Sequence, residues 1–261
     1  MDLQVLVSTM HQVDHSLLEK MNISSDSIII NQCNRNEVEN FQYCGFDIKF
    51  ISYDERGIGL SRNNALMRAS ADICLFSDED VKYVDDYKNI IVRAFEENPR
   101  ADIIIFNVVS TNLERPMFEI KKHSRVRWFE CLKYGAVRIA VRTNKLRQAN
   151  IYFSLLFGGG AMYSSGEDSL FIAECIRKGL TIYTNPSVIG YVSQEESTWF
   201  KGYTDKYFID KGVLYASLSK RLKKLLCLQY VIRHHTSFNN VKTAREAYKL
   251  MLQGVDKTRR M

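Results

Sequence analysis

The sequence has no pair of cysteines in the CxxC spacing. Its six cysteines stand alone at positions 33, 44, 74, 131, 175 and 227, which argues against a zinc ribbon or a thioredoxin-like site. Cys74 and Cys175 lie inside apolar runs and read as small core residues. No run of 18 apolar residues occurs, so no membrane-spanning helix is expected. The opening MDLQVLVSTMHQ carries an acid at position 2 and only a short apolar stretch, unlike a signal peptide. These absences together set the expected compartment as a reducing cytosol. Internal repeats and low-complexity segments are also lacking.

What is present is an ordinary globular composition, with 46% hydrophobic and 25% charged residues. A chain of 261 residues can build one large α/β domain, or one domain with a helical appendage, and such a core needs no metal or disulfide staple. The net charge of +6 is uneven. From Val213 onward, basic residues far outnumber the two acids, Glu246 and Asp256, and the preceding body is weakly acidic. We therefore expect a body over 1–212 and a basic helical extension over 213–261.

Short apolar runs alternate with helical patterns. Strands are predicted at Leu3–Ser8, Ser27–Asn31, Asp47–Ser52, Asp72–Phe76, Ala101–Val109 and Tyr134–Arg142. Helices are predicted at Asp14–Met21, from an N-capping Ser61, over Val84–Glu97, over Glu167–Lys178, and beyond about Thr198. Alternation of this kind predicts an α/β fold with a mostly parallel sheet.

Three constellations are candidates for chemistry. Ser77-Asp78-Glu79-Asp80 leaves a buried strand, and in an extended chain Asp78 and Asp80 project to one side. Paired hard oxygen ligands at the carboxyl end of a sheet suit Mg²⁺ or Mn²⁺ shared with substrate phosphates, although an acidic turn in solvent has the same pattern. Gly166-Glu167-Asp168 opens an amphipathic helix, where acids also serve as caps, with Ser165 as the N-cap. The preceding Gly158-Gly159-Gly160 suits a loop that closes over a substrate, or a plain surface loop. Finally, GLSRNNAL at 59–66 can present amides, Arg62 and Asn63 to an anion, or simply be a capped helix.

These pieces, in the order YDERGIGLSRNNALMRASADICLFSDED and then GGGAMYSSGEDSLFIAECIRKGL, resemble the family-2 glycosyltransferases of GT-A fold. The resemblance runs from Leu3 to about Gly212. It is nearest to bacterial enzymes that build capsule, O-antigen or exopolysaccharide units, and it implies an inverting, metal-dependent transfer from a nucleotide-diphosphate sugar, with UDP as the expected nucleotide. By position, Ser8, Thr9 and Asn31 flank the base and ribose, and Arg62 and Asn63 lie on the nucleotide side. Asp78, Glu79 and Asp80 meet the donor, with Asp80 and Asp78 on the Mn²⁺ or Mg²⁺. Asp168 matches the catalytic base, with Glu167 next in line. Gly159, Gly160, Tyr163 and Trp199 are candidate contacts to sugar or acceptor, although the two aromatics equally suit core packing.

Two departures stand out. The family's acidic "D-D-G-S" is replaced by NQCNRNE, so uracil recognition does not carry over. The histidine metal ligand of many relatives is absent from GYVSQEESTWFKG, where Gln194, Glu195 or a water is the available substitute.

The tail reads KRLKKLLCLQYVIRHH, which suits either a helix packed on the body or peripheral contact with an anionic membrane, the place to meet a lipid-linked acceptor. A sugar-phosphate nucleotidyltransferase is the rival reading, but STMHQVD at 8–14 lacks the glycine and arginine of its triphosphate loop. An inactive sugar-nucleotide-binding relative is the other. No nucleic-acid motif accompanies the basic tail.

Overall fold

The computed structural model describes residues 1–194, 200 and 202–258. The chain divides into two compact units, Met1–Leu155 with Glu167–Glu196, and Leu156–Gly166 with Ser197–Met261.

The first unit is built on one sheet. Strands β1 (Leu3–Met10), β2 (Asp26–Gln32) and β4 (Phe46–Tyr53) run parallel, and β5 (Ile73–Asp78) continues them on the other side of β1. An edge strand β3 (Glu37–Tyr43) pairs antiparallel with β4. Beyond β5 come β9 (Ile139–Arg142), β7 (Ile103–Ser110), β10 (Ile182–Val192) and β6 (Val81–Tyr83), while the short β8 (Ser124–Arg125) also pairs with β10. The sheet is parallel in its core and mixed at its margins, with helices flanking it. Its central strands are buried almost end to end, as parallel strands covered on both faces must be.

The helices of this unit are α1 (Leu17–Lys20), α2 (Ile58–Arg68), α3 (Tyr87–Glu97), α4 (Thr143–Ala149) and α5 (Glu167–Arg177). Helix α3 buries Tyr87, Ile91, Ala94 and Phe95, one stripe at helical spacing.

Several boundaries differ from the sequence reading. Helix α2 starts at Ile58 and not at Ser61. Gly57, at φ 129°, takes the N-cap position, and the Ser61 amide already bonds to the Gly57 carbonyl. Ser61 is instead buried, donating to Ser8 Oγ at 2.8 Å. The segment expected to begin α3 at Val84 is preceded by β6, so the helix opens at Tyr87. Only Ile139–Arg142 of the expected Tyr134–Arg142 strand is extended, after a 3₁₀ turn at Ala136–Arg138. Helix α1 keeps just four of its eight expected residues. Helix α5 starts at Glu167, so Gly166 precedes it where Ser165 was expected to cap.

The second unit holds α6 (Asp205–Leu218), α7 (Lys223–Phe238) and α8 (Ala244–Lys257). Thr204 caps α6 by accepting from the Tyr207 amide, and Thr243 with Glu246 forms a reciprocal capping box on α8. Helices α6 and α8 approach closely at glycines. A Cβ on Gly212 would stand 1.9 Å from the Met251 carbonyl oxygen, and one on Gly254 would stand 2.0 Å from that of Ile209. Residue 212 lies within α6.

Candidate functional site

The parallel strands β1, β2, β4 and β5 end on one edge. Register pairs Ser8 with Asp78, Thr9 with Asn31, and Asn31 with Ser52, so these side chains share that edge. The chain builds outward from β1 through β2 and β4, then crosses back to β5 on the other side of β1. The resulting crevice beyond β1 and β5 is where open α/β sheets bind ligands.

Arg62, from the second turn of α2, reaches into this edge and is almost wholly buried. Its Nη2 donates to both oxygens of Asp78, at 3.0 and 3.2 Å. Its Nη1 donates to Glu167 Oε1 at 3.1 Å and Asp168 Oδ1 at 2.9 Å. The guanidinium lies 5.3 Å from the centre of the Phe153 ring. Three carboxylates from two distant segments thus converge on one cation. The Arg62 Nε is buried without a partner among the described residues.

Electrostatics follow from this crowding. Burial pulls the Arg62 guanidinium down, but Asp78, Asp168 and Glu167 more than offset it and the net direction is up. Asp168 is held above the usual carboxylate range by desolvation first and then by Glu167 and Asp78, against the pull of Arg62 and the Ala136 amide. A quarter of its side chain still reaches solvent.

Asp80 differs in character. It is exposed, and no cation pairs with it among the described residues. Partial desolvation of its carboxyl, then Asp78 and Glu79 beside it, push it up to about 6, with the Gln194 backbone amide pulling the other way. Gln194, at φ 50°, therefore faces Asp80 through its main chain.

Glu79 turns back towards β1. One of its oxygens accepts from Thr9 Oγ1, from the Met10 amide at 3.3 Å and from Gln12 Nε2 at 2.9 Å. The structure thus brings Thr9 and Glu79 together across the crevice. Asn31 is fully buried and ties the chain after β1 to the sheet. It accepts from the Gln12 amide at 2.9 Å and donates to the Gln12 carbonyl and Ser52 Oγ. Asn63 is likewise committed internally, clamping both the amide and carbonyl of Phe153. Both asparagines shape the site from beneath.

Gly159, Gly160 and Tyr163 lie in the second unit. Gly158–Gly160 belong to a closed turn: the Gly158 amide donates to the Tyr163 carbonyl at 2.8 Å, and the Tyr163 amide to that of Leu156 at 2.9 Å. Gly158 and Gly160 take positive φ there, which explains the glycines better than looseness does. Tyr163 is buried with its ring 4.9 Å from Phe157. Trp199 and Glu195 lie outside the described residues.

Sequence reasoning missed Gln12, Phe153 and the paired amide of Gln32. The Gln32 side chain grips Gly57 through both its amide and its carbonyl and so sets the start of α2. None of the three belongs to a motif, and only their position in space exposes them.

The chain belongs to glycosyl transferase family 2, whose sequence profile matches residues 15–163. Its fold is GT-A. It resembles the crystal structure of S. aureus TarS 1-349 in complex with UDP-GlcNAc, with TM-score 0.69 and 16% identity, over 98% of this chain and 82% of that one. The UDP complex of the same fragment aligns at TM-score 0.66 and 16% identity, over 98% and 81%. S. aureus TarS itself aligns at TM-score 0.66 and 16% identity over 98% of this chain, which spans 49% of that one. Comparison with curated protein sequences gives no match.

Proposed function

We propose that this chain transfers a sugar from a nucleoside-diphosphate sugar, with UDP as the expected nucleotide, to a hydroxyl of a saccharide or lipid-linked acceptor in cell-surface polysaccharide synthesis, inverting the anomeric centre. The observation that carries this reading is the pairing of Asp78 and Asp168 with the two terminal nitrogens of Arg62, at the carboxyl edge of the sheet. Family membership and the UDP-GlcNAc in the TarS structure support it.

The donor set fits a divalent cation. Asp80 is an exposed hard oxygen ligand whose proton affinity is raised by partial desolvation and then by neighbouring acids, and a cation there would relieve the repulsion. Among the described residues no group of three ligating side chains forms, so the donor phosphates would complete the shell. Asp80 would hold the ion, with Asp78 beside it as the second candidate ligand, both of its oxygens accepting from Arg62 Nη2. When bound, Mg²⁺ or Mn²⁺ offsets charge on the departing diphosphate.

Asp168 takes the proton of the acceptor hydroxyl as its oxygen bonds to the anomeric carbon. The bond from that carbon to the phosphate oxygen breaks, and the nucleoside diphosphate leaves. A carboxylate held above its usual range is a better base near neutral pH than a solvated one. Arg62 keeps Asp168 oriented and favours its ionised form against the burial that raises it.

The experiment is donor turnover with Mn²⁺ across a panel of nucleotide sugars, reading the phosphate product. Release of nucleoside diphosphate, with the sugar moved to acceptor, is expected. Release of pyrophosphate from a nucleoside triphosphate and sugar phosphate would establish the nucleotidyltransferase instead. Thermal stabilisation by a donor without turnover would leave an inactive sugar-nucleotide-binding relative, and neither turnover nor stabilisation by any donor would overturn the reading.

A further inference from the structure

Helix α7 is apolar on two opposite faces. Cys227, Tyr230, Val231 and Phe238 are buried and hold it in the second unit. On the other side Leu225, Leu228 and Ile232, spaced i, i+3 and i+7, form one outward stripe. They are 60%, 41% and 72% exposed, so no side chain among the described residues buries them. Exposed Lys220, Arg221, Lys224 and Arg233 flank the stripe, and none of these joins an ion pair among the described residues. From Lys223 to Phe238 the helix carries no acid.

We propose that this face of α7 seats the chain on an anionic lipid bilayer, lying in the plane of the interface. An occupant must offer apolar depth to the stripe and negative charge at its margins. An anionic bilayer offers both, with acyl chains below and phosphate headgroups around. A second copy of the same face would set these cations against their own kind, which disfavours a symmetric pair. A nucleic acid backbone would take the cations and leave the aliphatic stripe in water. The inference does not rest on sugar transfer, and its test reads none.

Co-sedimentation of the full chain with phosphatidylglycerol-containing vesicles, and with phosphatidylcholine vesicles alone, is the experiment. Binding to the anionic vesicles is expected, with little to the neutral ones. Near 1 M salt, where the screening length is about 3 Å, attachment should weaken strongly. The combined Leu225→Ser, Leu228→Ser and Ile232→Ser variant should lose about tenfold or more in vesicle affinity while keeping its melting temperature, because these side chains are already in water. Lys224→Glu with Arg233→Glu tests the charge separately and should lose the preference for anionic lipid. Failure of the wild-type chain to bind anionic vesicles, equal binding to neutral ones, or unchanged affinity in the triple serine variant would overturn the proposal. So would a wild-type dimer that the serine variant makes monomeric, with no vesicle binding by either.

Discussion

Arg62 Nη1 lies 2.9 Å from Oδ1 of Asp168, so the proposed base is held by a buried cation from a helix 106 residues earlier in the chain. That contact is a different engagement from a helix cap. A carboxylate whose business was to cap α5 would face its own helix amides. Asp168 is instead one of three acids sharing a guanidinium.

Asp168→Asn should therefore lose transfer by about 10²–10⁴-fold while keeping donor affinity. Its stability should not fall at pH 8. The folded state binds the Asp168 proton more tightly than the unfolded chain does, so ionisation above the usual carboxylate range costs the fold. The amide removes that cost. Single-turnover rate, donor titration and melting temperature on one preparation check all three. Normal transfer by a stable mutant would remove Asp168 from the mechanism and leave Glu167 as the next candidate.

Arg62→Met should destabilise the protein by about 3–5 kcal/mol, the usual cost of leaving a buried ion group without its partner. Without the cation, Asp78, Glu167 and Asp168 repel one another and must bind protons to coexist. The deficit should therefore be largest at alkaline pH and shrink as pH falls and the carboxyls neutralise. Urea unfolding at several pH values measures it, and a pH-independent loss would mean that packing on Phe153, not charge, is the larger effect.

Asp80→Ala should abolish Mn²⁺-dependent donor binding and leave the fold intact, since the side chain is exposed at the end of a strand. In the wild type, cation binding needs the ionised carboxyl. Asp80 is pushed up to about 6, so donor affinity with Mn²⁺ should hold above that pH and fall as pH drops through it. Calorimetric titration across that range, with the mutant as reference, reads both effects. A mutant with unchanged affinity would refute the metal assignment.

Gly212→Ala should destabilise the helical unit by about 1–3 kcal/mol although it adds only a methyl group. That methyl would fall 1.9 Å from the Met251 carbonyl oxygen and force α6 away from α8. Gly254→Ala should act in the same way from the opposite helix. Thermal unfolding of the two variants measures the cost, and wild-type melting in both would mean the helices can separate freely.

Much of this protein was legible in one dimension. The buried strands declared themselves because a parallel strand covered on both faces needs an unbroken apolar run, and β1, β2, β5 and β7 have one. The SDED and GED segments were visible because adjacent acids at a strand end and a helix start need solvent or a cation to coexist. Strands β3 and β10 were not legible. The first is a polar edge strand, with EVENFQY exposed along much of its length, and the second interrupts its pattern with Asn185, Pro186 and Ser187. The start of α2 was misread because Ser61 has the chemistry of a cap, while Gly57 has the backbone freedom and the Gln32 clamp that decide the matter.

By itself, then, the sequence determined the kind of fold, the position along the chain of six of its strands and which acids stand at strand and helix ends, because each rests on local pattern and residue chemistry. Only the tertiary structure decided what those acids do to one another. That Asp78 and Asp168 share Arg62, that Glu79 turns back to Thr9, and that Asp80 faces solvent with no cation paired to it among the described residues are set by strand register and helix packing across as many as 106 residues. Charge interactions depend on distance through space and on burial, and neither quantity is written in residue order.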